Sequence, residues 1–269
     1  MPAYRVGCVP YVNALPLVVG LAEDDVEVVF DVPSRLATLL DAGEVQAALV
    51  SSIEALRRPG ARVVDGIGIG SFGPVESVRL FSKVPYGMIQ TLALDQSSLT
   101  SNRLAQVVMR ESYGARPQCL AFPPDLDAML GVCDAALLIG DLGMTADPGR
   151  GVRILDLGEA WTDLTGLPFV WALWTGGTDL TPDLASKLRA AYRRSGFDPA
   201  APDDRAAQAL IEQGAQDAGW PVARTSHYLR QSVRFDLGEG GQSALKKFAE
   251  LLEKNQLATD LHIPATVSG

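Results

Sequence analysis

The chain has 269 residues, of which 47% are apolar and 20% are charged, a composition that is ordinary for a globular protein with a sizeable core. Its 23 basic and 32 acidic side chains give a formal net charge of −9, which argues against nucleic acid as a partner. The sequence has neither a signal-peptide pattern at its N-terminus nor an apolar run of about 18 residues, so we expect a cytoplasmic protein without a membrane partner.

The first part of the chain alternates short β-type runs with helical runs, which predicts an α/β fold with mostly parallel strands. Helices are expected from about Asn13, over 34–43 and over 53–58. The predicted strands are Tyr4–Val9, Val26–Val32, Val45–Val50, Arg62–Ile69 and Val75–Ser82.

A second α/β series begins at about Val84, and the chain from Thr181 onward is almost wholly helical in pattern. Its predicted strands are Thr91–Leu94, Gln118–Phe122, Ala135–Ile139 and Leu167–Trp174. Crossovers near Val84 and Gly176 indicate two lobes, the first made of residues 1–83 and 176–269 and the second of 84–175. A ligand is expected in a cleft between the lobes, at the carboxyl ends of strands.

A hydroxyl-rich turn leads from the strand at Thr91 into an amphipathic helix. The free N–H groups and the dipole of a helix start favour either a capping side chain or a bound anion. Both interpretations stay open. A cap needs only one polar residue, and this turn has five, Ser97, Ser98, Thr100, Ser101 and Asn102, which favours a bound anion. Ser51 and Ser52 lie at a similar strand-to-helix junction, where a simple cap and a ligand contact are about equally good explanations.

Three further polar residues stand near predicted strand ends. Asn13 lies in a Pro-bounded turn and is either a helix cap or a ligand contact, and Ser77 stands in the segment GPVES before the first crossover. Arg79 follows Ser77 by two residues, so on a strand it would share the same face and could pair with a carboxylate.

Cysteine and histidine usage indicates no metal site. Cys8, Cys119 and Cys133 lie in apolar segments and are expected to be buried, reduced thiols. The only histidines, His227 and His262, lie in the helical tail. The sequence carries no indication of an oligomeric state.

Several segments, taken in order, resemble the menaquinone-biosynthesis family of the futalosine route, in its chorismate dehydratase branch. The resemblance spans Tyr4 to Trp174 and, more loosely, the tail. The segments are PYVNALPL at 10–17, SRLATLLDAGEVQAALVSS at 34–52, GPVESVRLFSK at 73–83, LDQSSLTSNRLA at 94–105, LLIGD at 137–141 and DLGEAWTDLTGLPFVWALW at 156–174.

The resemblance implies a two-lobed periplasmic-binding-protein-like fold of type 2. It also implies that chorismate is converted to 3-[(1-carboxyvinyl)oxy]benzoate and water, which makes the protein a carbon–oxygen lyase of the hydro-lyase class that needs no cofactor. We assign catalytic roles to Asn13 and Ser77. Substrate contacts are assigned to Ser51, Ser52, Ser98, Thr100, Ser101, Arg79 and Asp141, and no residue is assigned to a metal.

The proton acceptor is not evident from the sequence. Glu76 and Asp141 are the nearest carboxylates, but either would repel a dianionic substrate, so we hypothesise that a carboxylate of chorismate itself takes the proton. Two alternatives remain open: a solute-binding protein for a small carboxylate, and the sister branch that makes 1,4-dihydroxy-6-naphthoate. The sister branch relies on a histidine in the second lobe, where this chain has none.

Overall fold

A computed structural model describes residues 2–269, apart from the side chain of Glu239. The chain divides into two compact units. Unit 1 comprises Met1–Gly70, Val170–Lys246 and Asp260–Gly269, and unit 2 comprises Ser71–Phe169 and Lys247–Thr259. Among the described residues, no helix is both long enough and apolar enough to cross a membrane.

The strands alternate with helices through most of the chain. In chain order the strands are β1 (Tyr4–Cys8), β2 (Val26–Phe30), β3 (Ala47–Ser51), β4 (Arg62–Ser71), β5 (Val78–Ser82), β6 (Thr91–Asp95), β7 (Gln118–Phe122), β8 (Ala135–Ile139), β9 (Arg153–Asp156), β10 (Phe169–Gly176), β11 (Arg234–Asp236) and β12 (Ala265–Val267).

The helices are α1 (Pro33–Asp41), α2 (Ser52–Arg57), α3 (Leu99–Tyr113), α4 (Leu126–Val132), α5 (Gly140–Thr145), α6 (Leu157–Thr165), α7 (Pro182–Arg194), α8 (Asp204–Ala218), α9 (Val222–His227) and α10 (Gly238–Lys254). Short 3₁₀ helices cover Val12–Leu17, Leu21–Asp24 and Tyr86–Met88, and a π-helical turn covers Tyr228–Ser232. The helix expected from Asn13 is therefore a 3₁₀ helix, and Pro16 inside it lacks the N–H that a longer α-helix would need.

The two sheets repeat one strand order. The first sheet runs β11-β4-β10-β3-β1-β2, with β12 on β4, and the second runs β7-β6-β8-β5-β9. In each sheet three parallel strands, β2-β1-β3 or β7-β6-β8, are followed by an antiparallel strand from a distant part of the chain, β10 or β5. The α/β prediction is confirmed. The two sheets share a strand order although the amino-acid sequence has no internal repeat.

Two strands lie in a different unit from the one expected. The strand Leu167–Trp174 was expected in a second lobe of residues 84–175, but β10 pairs with β3 in the first sheet, and the chain from Val170 belongs to unit 1. The strand Val75–Ser82 was expected at the end of a first lobe of residues 1–83, but β5 forms hydrogen-bonded ladders with β8 and β9 of the second sheet. The last part of α10 and the residues up to Thr259 likewise belong to unit 2. The reason is long-range strand pairing, which the local hydrophobic pattern does not encode.

Aromatic rings and cysteines contribute to cores that are mostly aliphatic. In unit 2, Trp161, Phe169 and Phe248 meet edge to face, with ring centroids 5.0 to 5.9 Å apart, so these rings are core residues. Cys8 and Cys133 are buried, and Cys119 is half-buried. Burial raises the pKa of Cys8 to about 12, so its thiol is neutral and unreactive at physiological pH.

Asp134 joins the start of β6 to the start of β8. Its carboxylate accepts hydrogen bonds from the backbone N–H groups of Gln90 and Thr91 at 3.0 and 2.9 Å, and from the Thr91 hydroxyl at 3.0 Å. These hydrogen bonds lower the pKa of Asp134 below its usual range.

We expect Asp134→Asn to lower the free energy of unfolding by about 1 kcal/mol at pH 7, because the charged acceptor is lost. Because the pKa of Asp134 is lower in the folded state, its ionised carboxylate stabilises the fold at any pH above the unfolded-state pKa of about 3.9. This stabilisation is lost as the pH falls through the pKa of the folded state. The difference between wild type and variant should therefore shrink below about pH 4 in urea unfolding. A difference that stays constant between pH 7 and pH 3 would contradict this account.

Candidate active site

In unit 1, two of the predicted residues lie at one edge of the first sheet. Strands β1 and β3 are parallel neighbours, so their carboxyl ends meet at the same edge. Asn13 follows β1 within the 3₁₀ helix, and Ser51 ends β3. The fold therefore brings an amide and a hydroxyl group together at the edge where α/β proteins bind ligands.

Asn13 is held by a residue that the sequence did not single out. Its Nδ2 donates to the hydroxyl oxygen of Tyr228 at 3.2 Å, and Tyr228 is 3% exposed, in the π-helical turn. The Tyr228 ring packs edge to face on Trp220, with centroids 5.8 Å apart. π-Helical turns are rare and are frequent at functional sites.

The Asn13 carboxamide still has capacity for a ligand. A carboxamide nitrogen has two N–H groups, and Tyr228 takes one of them. Asn13 Oδ1 is buried and has no hydrogen-bond partner within the described part of the chain. Asn13 does not cap a helix, since its 3₁₀ helix begins at Val12 without a side-chain cap.

The two serines of the β3–α2 junction differ in their contacts. Ser52 is 0% exposed, and its hydroxyl donates to the backbone carbonyl of Val170 at the start of β10. Its hydroxyl hydrogen is therefore used within unit 1. Ser51 is half-buried and precedes α2, yet its side chain makes no capping hydrogen bond. Of the pair, Ser51 is the residue whose hydroxyl can meet a ligand.

This difference predicts unequal effects of two alanine substitutions on stability. Ser52→Ala should lower the free energy of unfolding by about 1–3 kcal/mol, because the buried carbonyl of Val170 loses a donor. Ser51→Ala should change it by less than about 0.5 kcal/mol. Urea unfolding followed by circular dichroism measures both, and equal effects would contradict the assignment.

In unit 2, strand register brings the remaining residues to one edge of the second sheet. Strands β6 and β8 are parallel, so the turn at Ser98 and the helix start at Asp141 follow strand ends on the same side. Val78 pairs with Ile139 in the antiparallel β5–β8 ladder, so Ser77 also lies at this edge.

The helix entrance at Ser98 includes the expected cap. Ser98 Oγ accepts from the backbone N–H of Ser101 at 3.3 Å, so Ser98 is the N-cap of α3 and still has its own O–H to donate. The nearby Asp95 carboxylate accepts from the backbone N–H and the hydroxyl of Ser97 at 2.9 and 2.6 Å. Thr100 and Ser101 are buried in the first turn of α3.

Ser77 ends a turn that is fixed by a buried carboxylate. Asp156 accepts from the backbone N–H groups of Val75 and Glu76 at 3.0 and 2.7 Å, and it also caps α6. Ser77 itself is 6% exposed. The sequence motif DLGE signals a helix cap at Asp156, but nothing in the sequence signals that the same carboxylate binds a distant turn.

Arg79 and Asp141 differ in how they could act. The half-buried Arg79 reaches the carbonyl of Met144 with Nη1 at 3.5 Å, which leaves other guanidinium N–H groups for an anion. Asp141 is exposed in the first turn of α5, where its charge opposes an anionic ligand. Asp141 is therefore the weakest of the predicted substrate contacts.

The described residues contain no group of three or more His, Cys, Asp or Glu side chains that could hold a metal ion. Unit 2 also has a depression of about 370 Å³ lined in part by Tyr113, Leu155, Glu159 and Asp163. None of its lining residues was predicted as a site residue, and its acidic side chains disfavour an anion.

Two α/β units built on the same strand order define a two-lobed, periplasmic-binding-protein-like fold. A crystal structure of a protein from Archaeoglobus fulgidus has 20% sequence identity and a TM-score of 0.71, covering 95% of this chain and 98% of that one. The periplasmic aliphatic sulphonate binding protein of Escherichia coli has 15% identity and a TM-score of 0.66, covering 100% and 94%. These likenesses show the fold.

Sequence comparison gives the family. The family model described as menaquinone biosynthesis matches residues 4–254. A chorismate dehydratase of Thermus thermophilus is 31% identical over 271 residues, covering 94% of this chain and 96% of the relative. A chorismate dehydratase of Campylobacter jejuni is 23% identical over 260 residues, covering 94% and 99%. The chain therefore belongs to the menaquinone biosynthesis family.

Proposed function

We propose that this protein is a chorismate dehydratase, a hydro-lyase that converts chorismate to 3-[(1-carboxyvinyl)oxy]benzoate and water in the cytoplasm. The observation that carries the proposal is the 31% identity to a chorismate dehydratase over 94% of the chain. The site chemistry supports it, since the first sheet edge carries an amide and a hydroxyl group and the second carries hydroxyl groups and a guanidinium, all of which can donate to a dianion. A histidine, on which the sister branch relies, is absent from unit 2 by sequence.

The reaction breaks two bonds of the ring. The ring C–O bond to the hydroxyl group breaks, the C–H bond on the adjacent ring carbon breaks, and the electron pair of that C–H bond completes the aromatic ring. Hydroxide and proton leave together as water. Because aromatisation drives the reaction, the protein has to orient the substrate, stabilise the departing hydroxyl and leave an acceptor for the proton.

We assign these tasks to the polar residues at the two sheet edges. Asn13 donates its second N–H to the departing hydroxyl, and Ser77 supports the same group. The carboxylates of the substrate are held by neutral donors and one guanidinium, namely Ser51, Ser98, Thr100, Ser101 and Arg79. Ser52 acts indirectly, because its hydroxyl fixes β10 against the β3–α2 junction.

The direct test incubates the purified protein with chorismate and follows the aromatic product by liquid chromatography. Asn13→Ala should lower kcat by about 100-fold, the loss typical of removing one donor to a developing charge. Gln208→Ala removes a carboxamide from the exposed face of α8 and should leave kcat unchanged. Intact chorismate with saturable binding would instead support a solute-binding protein, and full activity of Asn13→Ala would remove Asn13 from the mechanism.

We further propose that a carboxylate of chorismate accepts the ring proton, because the nearest protein carboxylates carry a charge that repels the dianion. Glu76→Gln and Asp141→Asn should therefore each keep kcat within about threefold of wild type, measured with the same product assay. Loss of turnover in either variant, with chorismate binding intact by calorimetry, would assign the proton transfer to that side chain.

A further inference from the structure

The turn that carries Ser77 is held by one buried carboxylate. Asp156 is 8% exposed and accepts four backbone N–H groups. Two come from the turn, Val75 at 3.0 Å and Glu76 at 2.7 Å, and two come from the first turn of α6, Gly158 at 2.9 Å and Glu159 at 3.2 Å. A helix cap needs only the second pair.

We propose that Asp156 is a positioning residue for the reaction: it fixes the 73–77 turn and so places the Ser77 hydroxyl against the departing group. This inference rests on the proposed function. Asp156 touches no reacting atom in this account, and its effect on the chemistry passes through the backbone of the turn.

The backbone of the turn needs such a support. Glu76 has a φ of +64°, in the left-handed region that a residue with a Cβ rarely adopts. The next residue closes a tight turn, since the Ser77 N–H donates to the carbonyl of Val75 at 2.8 Å. A strained conformation of this kind persists only where the surroundings fix it, and it is frequent at functional sites.

Neighbouring elements restrain both ends of the turn. The Gly73 N–H donates to the Thr162 hydroxyl of α6 at 2.9 Å. At the other end, Gly143 of α5 lies so close that a Cβ there would meet the Ser77 carbonyl oxygen at 2.7 Å. With both ends fixed, the two hydrogen bonds to Asp156 set the conformation of Val75 and Glu76, and hence the direction in which Ser77 leaves the turn.

Asp156→Asn tests the proposal with little change in size. In asparagine one carboxylate oxygen is replaced by an NH₂ group. That group is a donor and cannot accept hydrogen bonds from the backbone N–H groups it would face, so the turn loses part of its support. We expect kcat to fall by about 10- to 100-fold while KM changes by less than about threefold, because displacements near 1 Å cost rates of this order.

The decisive readout is a double-mutant cycle on kcat. If Asp156 acts through Ser77, then Asp156→Asn should lower kcat by less than about twofold in a Ser77→Ala background. Asp125→Asn is the matched control, since Asp125 caps α4 in the same unit with one N–H, that of Ala128 at 3.0 Å, and holds no turn. This control should keep the wild-type kcat.

A second variant covers the case in which Asp156→Asn does not fold. Thr162→Val leaves Asp156 and its hydrogen bonds in place and loosens the other end of the turn, because the Gly73 N–H loses the hydroxyl group that accepts from it. It should lower kcat about threefold to tenfold, again with no further loss in the Ser77→Ala background. Thr165→Val is its matched control, since the Thr165 hydroxyl lies on the same helix and contacts the backbone of Trp161 and Leu167 instead of the turn.

The outcomes separate this inference from the proposed function. If the wild-type protein turns chorismate over but the Asp156 and Ser77 substitutions lower kcat by independent, multiplicative factors, the inference alone is overturned. The same holds if Asp156→Asn has the kcat of the wild-type protein. An absence of turnover by the wild-type protein overturns the proposed function, and the inference with it. Non-additive losses in kcat support both.

Discussion

The antiparallel pairing of β5 with β8 is the constraint on which the unit 2 site depends. Because Val78 faces Ile139 in that ladder, the turn before β5 and the helix after β8 share one edge of the sheet. The parallel β6–β8 pair brings the start of α3 to the same edge. Without the inserted strand, Ser77 would have no fixed relation to Ser98. The pairing of β10 with β3 has the same consequence in unit 1, where it places Val170 within reach of Ser52.

Buried hydrogen bonds then decide which polar groups are structural. Ser52, Asp134 and Asp156 each satisfy backbone groups that would otherwise be unpaired, and an unpaired buried group costs about 1–3 kcal/mol. These residues keep strand ends and turns in place. Asn13, Ser51 and Arg79 retain hydrogen-bonding capacity at the same edges, and this division separates residues that hold the site from residues that can hold a ligand.

Short-range hydrogen-bond donors suit the proposed substrate for an electrostatic reason. A chain with a net charge of −9 repels a dianion at long range, so binding has to come from short-range contacts in which hydroxyl, amide and guanidinium groups face the ligand. Cys8 at the end of β1 offers no nucleophile, because burial raises its pKa to about 12 and keeps its thiol neutral.

The sequence by itself determined the α/β class, the alternation of elements, the family and the polar residues at strand ends, because hydrophobic periodicity, caps and short motifs are local properties of the chain. The tertiary structure alone decided that β5 belongs to the second sheet, that Ser52 donates to Val170 and that Tyr228 holds Asn13 from 215 residues away. It also decided that Asp156 supports the turn before Ser77. These contacts depend on strand pairing and helix packing between distant segments, for which the sequence carries no local signal.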